Sequence, residues 1–182
     1  MSNEADLIAR LQDPSRKEAA FRTLLAEYQE RLYWQIRRMV ISHDDADDVL
    51  QNTFIKIYKH IGTFKGESKL HSWMYRIAAN EALSFMKKRS RRLGVSDEGL
   101  QEYLVSNLEA DPYFDGDKAQ LQLQRALARL PDKQREVFNL KYFDEMKYEE
   151  MSELLDTSVG ALKASYHLAV KKIESYLKEI NA

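Results

Sequence analysis

Trp73, Arg76, Asn80, Ser84, Lys87 and Arg91 follow one another at steps of three or four and bring a ring, an amide, a hydroxyl and cations to one side of a helix. Such a set suits single-stranded nucleic acid, because rings stack on unpaired bases, amides read base edges and cations hold phosphates. The same spacing also fits a plainer arrangement, with Trp73 in a core and Arg76 paired to Glu81 at the surface. A second stripe, Asp44, Asp48, Gln51/Asn52, Ile55 and Lys59, is acidic and amide-rich with one apolar residue among polar ones. That face suits a protein partner, although most polar stripes are simply solvated.

A third constellation lies between Lys147 and Lys172. Tyr148, Met151, Leu154 and Leu155 form one apolar stripe at helical spacing, a turn falls at Asp156-Thr157-Ser158, and Val159, Leu162, Tyr166, Ala169/Val170 and Ile173 form the next. Ser158 is placed to cap the second helix by accepting from an orphan backbone N–H. The outward face then carries Gly160, Lys163, Ala164, His167 and Lys171, with Ser165 beside them. Cations and small residues together suit the major groove of DNA, as in a helix-turn-helix; an ordinary helical hairpin with a charged side fits the same residues.

The elements that must position these residues read as helices. Phe21, Leu24, Leu25, Tyr28, Leu32, Ile36, Met39 and Val40 make the core stripe of the first long one. Ser42 or Asp44 can cap the next, whose buried stripe is Ala46, Val49/Leu50, Phe54, Ile57/Tyr58 and Ile61. The third presents Leu70, Met74, Ile77 and Phe85 to the core. After it, Lys87, Lys88, Arg89, Arg91 and Arg92 form a basic block, and every charge from Asp97 to Asp117 is acidic. Gly94, Gly99, Pro112 and Gly116 punctuate that acidic run, which reads as a linker. The expected architecture is all-α: two small helical domains, 16–92 and 118–178, joined by an acidic flexible linker over 93–117.

Composition narrows the function classes. With 182 residues, only three Pro and six Gly, and 31% charged residues, the chain suits helices better than sheets. No stretch reaches the apolar length of a membrane span and the N-terminus lacks a signal-peptide core, so a cytoplasmic protein without membrane insertion is expected. The absence of Cys excludes disulfides, thiolate metal sites and cysteine nucleophiles. His43, His60, His71 and His167 are scattered, with no metal-ligand spacing. No phosphate-binding Gly loop and no G-x-S-x-G elbow is present. Neither an enzyme nor a cofactor or metal site is expected.

Taken in order, the motifs resemble a family. Phe64 to Ser68 (FKGES), Ser72 to Asn80 (SWMYRIAAN) and the basic block are similar to the promoter-melting region of bacterial sigma factors, most closely the extracytoplasmic-function (ECF) group. Asp45 to Phe64 resembles that group's segment for core RNA polymerase, and Ala126 to Leu155 followed by Ser158 to Ile173 resembles its promoter-reading domain. The resemblance implies a transcription initiation factor. Asp44, Asp48, Gln51, Asn52 and Ile55 would engage the beta-prime clamp helices of the polymerase, Asp48 and Gln51 by direct match to the family's positions, while the second domain would meet the beta flap. Phe64, Trp73 and Asn80 would hold a base extruded from the minus-ten element, with Arg76 alongside and Lys87, Arg91 and Arg92 gripping phosphates. Ser158, Gly160, Lys163, Ala164, Ser165, His167 and Lys171 would read the minus-thirty-five element. The partners so implied are core polymerase, promoter DNA and an anti-sigma factor.

Two departures from the family pattern stand out. Asp156 occupies a turn position where most relatives have Gly, and the second helix of the helix-turn-helix has Ser165, Leu168 and Val170 where relatives often carry Arg. The alternative reading is a helix-turn-helix regulator that acts on duplex DNA without polymerase; co-purification with core polymerase separates the two.

Overall fold

The computed structural model describes residues 4–109, 111 and 118–181, and all regular structure among them is helical. The helices are α1 (Glu4–Gln12), α2 (Lys17–Val40), α3 (His43–His60), α4 (Leu70–Leu93), α5 (Asp97–Glu109), α6 (Lys118–Ala128), α7 (Asp132–Tyr142), α8 (Tyr148–Leu155) and α9 (Val159–Asn181), with a 3-10 turn at Ile61–Thr63.

The stripes expected from periodicity are where the core forms. In α2, Leu24, Tyr28, Leu32, Ile36, Met39 and Val40 are buried, with Phe21 and Leu25 partly so; in α3 the buried set is Ala46, Val49, Phe54 and Ile57, while Tyr58 stays exposed. Each side chain of this size contributes about 1.5–3 kcal/mol on full burial. The cap of α3 is Ser42, whose Oγ accepts from the Asp45 N–H at 3.4 Å, leaving Asp44 free to project outward. In α4 the buried face is wider than the expected stripe. Leu70 and Met74 are buried, Ile77 and Phe85 only partly, and Tyr75, Ala78, Ala79, Ala82 and Met86 join them. The small residues let helices approach α4 on more than one side.

Two elements lie outside the expected architecture. α1 precedes the expected domain start, and its Leu7 and Leu11 are buried against the core. The second is α5, which occupies much of the segment expected to be a flexible linker. Its Leu100, Leu104 and Leu108 recur every four residues and all three are buried in the main core, so apolar burial orders the segment despite its acidity. The remainder of that segment, apart from Asp111, lies outside the described residues. Asp111 itself is paired with Arg37 of α2.

The second half builds its own core from Ala126, Leu127, Leu130, Phe138, Ala169 and Ile173. Its other apolar face is shared: Val137, Leu140, Met146, Met151, Leu154 and Leu162 belong to the same buried cluster as α1–α5. The two halves are thus packed together along α2, α4, α7 and α8.

Candidate functional site

Three surfaces carry the residues singled out by sequence. On α3, Asp44, Asp48, Gln51, Asn52 and Ile55 are all exposed and share one side of the helix. Ile55 is 47% exposed at the end of this polar stripe. Gln51 and Ile55 also border an apolar cleft of about 380 Å³ formed with Phe21, Leu25, Phe54 and Tyr58. An acidic and amide stripe beside an open apolar cleft offers both hydrogen bonds and desolvation energy to another protein.

The second surface lies where the loop before α4 meets the first turns of that helix. A cleft of about 510 Å³ there is bordered by Phe64, Lys65, Ser68, Trp73, Arg76 and Glu153. Phe64 and Trp73 meet with ring centroids 5.2 Å apart at 48°. Phe64 is the deeper of the two, only 8% exposed, whereas Trp73 is half-buried. Asn80, Lys87, Lys88, Arg91 and Arg92 are exposed farther along α4. The structure brings Phe64, Trp73 and Arg76 together and spreads Asn80, Lys87 and Arg91 along the next turns of the same helix. Arg89 is different: it pairs with Asp45, donates to the Tyr103 hydroxyl at 3.3 Å and lies over the Phe85 and Tyr103 rings, so it ties α3, α4 and α5 together.

Arg76 does not pair with Glu81, which binds Lys56 instead. Its Nε–H donates to the Leu154 carbonyl at 2.9 Å, and Nη2 donates to the Glu153 carbonyl at the end of α8. Nearby, Lys69 Nζ and Glu150 Oε1 are 2.5 Å apart. The hydrogen bond to Lys69 holds the Glu150 carboxyl below the usual range, and the same bond raises the Lys69 ammonium.

Two positioning residues have no local signal. α4 has no side-chain cap of its own; the Glu4 carboxylate, 66 residues away, accepts from the Leu70 N–H at 3.1 Å. Gln12 Nε2 donates to the Phe64 carbonyl at 2.7 Å and so fixes the loop that presents the Phe64 ring. The Leu7/Leu11 spacing is the sequence feature that marks α1 as a packed helix.

The third surface is the α8–α9 unit. Asp156 ends α8 in the left-handed conformation, φ 48° and ψ 48°, with its N–H on the Ser152 carbonyl. Ser158 caps α9, its Oγ accepting from the Ala161 N–H at 3.2 Å. The α9 face presents Gly160, Lys163, Ala164, His167 and Lys171, all exposed, and Ser165, half-buried. Lys163 Nζ lies 5.6 Å from the centroid of the Tyr148 ring, which lends a base to an otherwise flexible cation. Among the described residues no group of acidic residues and histidines could hold a metal ion, and no helix is long and apolar enough to cross a membrane.

Sigma-70 region 2 matches residues 24–92 and Sigma-70, region 4 matches residues 120–173. The first match holds α3 and α4 with the loop between them; the second holds the helix-turn-helix. The chain is 30% identical to the ECF RNA polymerase sigma factor SigW of Bacillus subtilis, covering 88% of this chain and 90% of that protein. It is 29% identical to the ECF RNA polymerase sigma-E factor of Haemophilus influenzae over 96% of this chain and 95% of the relative. In fold it is similar to CnrH, solved with the cytosolic domain of CnrY, with a TM-score of 0.70, 23% identity and 97% of each chain covered. The sigma factor RpoE solved with the anti-sigma factor NepR from Bartonella quintana gives a TM-score of 0.67 at 23% identity, over 87% of this chain and 96% of that one. With a 30% identical relative matched over 88% of the chain and both sigma-70 regions in order, the chain belongs to the ECF group of sigma-70 family RNA polymerase sigma factors.

Proposed function

We propose that the chain binds core RNA polymerase through the α3 face, directs it to promoters through α9, and holds an unpaired minus-ten base in the Phe64–Trp73 cleft. The observation that carries the reading is the juxtaposition on α3: Asp44, Asp48, Gln51, Asn52 and Ile55 share one exposed face, and that face runs into an apolar cleft. A single exposed Ile is ordinary, but Ile55 lines one cleft with Phe21, Leu25, Phe54 and Tyr58, and it is such a contiguous apolar patch with a polar rim that suits a protein partner. The beta-prime clamp helices are the partner for this face, and the beta flap is the partner for the second half. The working units are 16–92 and 118–178, and the protein acts in the cytoplasm, where polymerase and DNA are. It performs no catalysis of its own. An anti-sigma factor is a further partner, supported by the similarly folded RpoE, which was solved in complex with the anti-sigma factor NepR.

At the minus-ten element, Trp73 and Phe64 supply stacking surface, Asn80 an amide for a base edge, and Arg76, Lys87, Arg91 and Arg92 the phosphate contacts. Base stacking on such rings is worth about 1–3 kcal/mol per base, enough to offset much of the cost of extruding one. At the minus-thirty-five element, Ser158, Gly160, Lys163, Ala164, Ser165, His167 and Lys171 face the groove. The test is a pull-down with core polymerase. Asp48→Lys with Gln51→Ala is expected to lose core binding at unchanged helicity, since exposed positions change stability by no more than about 0.5 kcal/mol. Unaltered core affinity refutes the α3 assignment.

A further inference from the structure

We propose that Leu168 is a specificity-determining residue of the minus-thirty-five contact, its side chain packing on the C5-methyl group of one thymine in the major groove. The inference rests on the reading of α9 as the helix that enters the groove, and adds the base chemistry which that helix selects.

Among the described residues α9 exposes two large apolar side chains, Leu168 at 49% and Ile180 at 40%. They differ in placement. Ile180 stands seven residues after Ile173, which is buried in the core of the second half, and so continues the core side of the helix. Leu168 lies on the other side. The residues seven, four and three before it are Ala161, Ala164 and Ser165, and those three and four after it are Lys171 and Lys172; all are exposed except Ser165, which is half-buried.

This stripe is shaped and charged for DNA. Its apolar side chains lengthen along the helix, from none at Gly160, through the methyl groups of Ala161 and Ala164, to the isobutyl group of Leu168. A helix that sets its N-terminal end deepest in a groove needs that order. The entry end is also clear, since a Cβ placed on Gly160 would meet nothing within 4 Å. Lys163, Lys171 and Lys172 border the stripe and α9 carries no carboxylate before Glu174, so this face attracts a phosphate backbone.

A Leu side chain can neither hold a phosphate nor hydrogen-bond a base edge. What it can recognise is the thymine methyl, the one methyl group that the base pairs present in the major groove. Packing the two together removes both from water, whereas a cytosine amino group or guanine carbonyl beneath the same side chain loses its hydration with no bond in return. A lone exposed Leu is ordinary on a protein surface. This one is set apart by its company: small residues ahead of it and lysines beside and behind it.

The test uses the chain bound to core polymerase, with a promoter duplex carrying the minus-thirty-five sequence that this complex selects from a randomised pool. Each thymine of that element is replaced in turn by deoxyuridine, which deletes the methyl group and leaves every hydrogen-bonding group in place. At one thymine the exchange is expected to weaken binding about fourfold, the worth of one buried methyl group. Leu168→Gln, similar in size but polar, should bind the thymine and uracil duplexes equally, while Leu168→Met should keep the difference. At an exposed position neither change threatens the fold. A methyl effect that persists in Leu168→Gln, or one that is absent at every thymine, overturns the proposal, as does a selected element without thymine. Loss of core polymerase in a pull-down with Leu168→Gln overturns it as well, placing the side chain against the polymerase. Failure of the underlying reading looks different: Lys163→Ala and Leu168→Gln would both select the wild-type sequence, showing that α9 is not the reader, and the role of Leu168 would fall with it.

Discussion

Phe64 and Trp73 face each other 5.2 Å apart across the loop-to-helix junction, yet Phe64 is the member sunk in the core. Its substitution therefore mixes two effects. Phe64→Ala is expected to cost about 3–5 kcal/mol of stability, read as a lowered Tm. Asn80→Ala, at an exposed position, should stay within about 0.5 kcal/mol. Permanganate footprinting should nonetheless show Asn80→Ala melting a promoter less well at equal closed-complex occupancy. Normal melting by that variant would remove Asn80 from the minus-ten site.

Asp156 closes α8 at φ 48°, a conformation that Gly adopts without strain and that Asp adopts at some cost. Asp156→Gly is expected to gain about 0.5–1 kcal/mol, the relief of strain exceeding the added freedom of the unfolded chain, and Asp156→Ala to lose about 1 kcal/mol. Thermal denaturation of the full chain measures both. A loss on Asp156→Gly would mean that the carboxylate does more at the turn than adopt its backbone angle.

Much of this was legible in sequence, and the exceptions share a cause. Ser42 and Ser158 were readable because a cap is a local event: a hydroxyl just ahead of a periodic run. The outward faces of α3 and α9 were readable because 3.6-residue periodicity fixes which side chains are left outside. The helix over Asp97–Glu109 was missed because Gly and acidic residues outweighed a Leu100/Leu104/Leu108 stripe that only a distant core makes meaningful. The bond from Leu70 to Glu4 and the engagement of Arg76 by α8 join residues 66 and 78 positions apart, and no local pattern encodes such a meeting.

α9 has no Arg, so bidentate Arg–guanine contacts cannot supply its specificity. Lys163, steadied by Tyr148, is the main candidate for base readout. Lys163→Ala is expected to cost about 1–3 kcal/mol of minus-thirty-five binding by the polymerase complex and to relax preference at one or two base pairs. A binding-site selection assay compares the two proteins directly. An identical selected sequence would place the readout elsewhere, in DNA shape or other side chains.

Glu136 of α7 is expected to make stability pH-dependent. Burial, aided by the charge of Asp132, raises its carboxyl to about 7 from 4.5. An acid whose folded pKa is raised binds more protons folded than unfolded across that interval. Its contribution is therefore full below about 4.5 and is lost as pH rises towards about 7, on the order of 1–3 kcal/mol in all. Glu136→Gln should flatten this slope in Tm measured from about pH 4 to 8, which brackets the shift. An unchanged slope would assign the pH dependence to other groups.

The central claim is that this chain turns core polymerase into a promoter-specific enzyme, and reconstituted transcription tests it most directly. Sigma-free core polymerase is combined with the purified chain on genomic DNA, and the transcript starts are mapped. The expected result is a set of new starts sharing one minus-thirty-five and one minus-ten element, absent without the chain and absent with the Asp48→Lys, Gln51→Ala variant. Starts identical with and without the chain, despite a folded protein, would contradict the account.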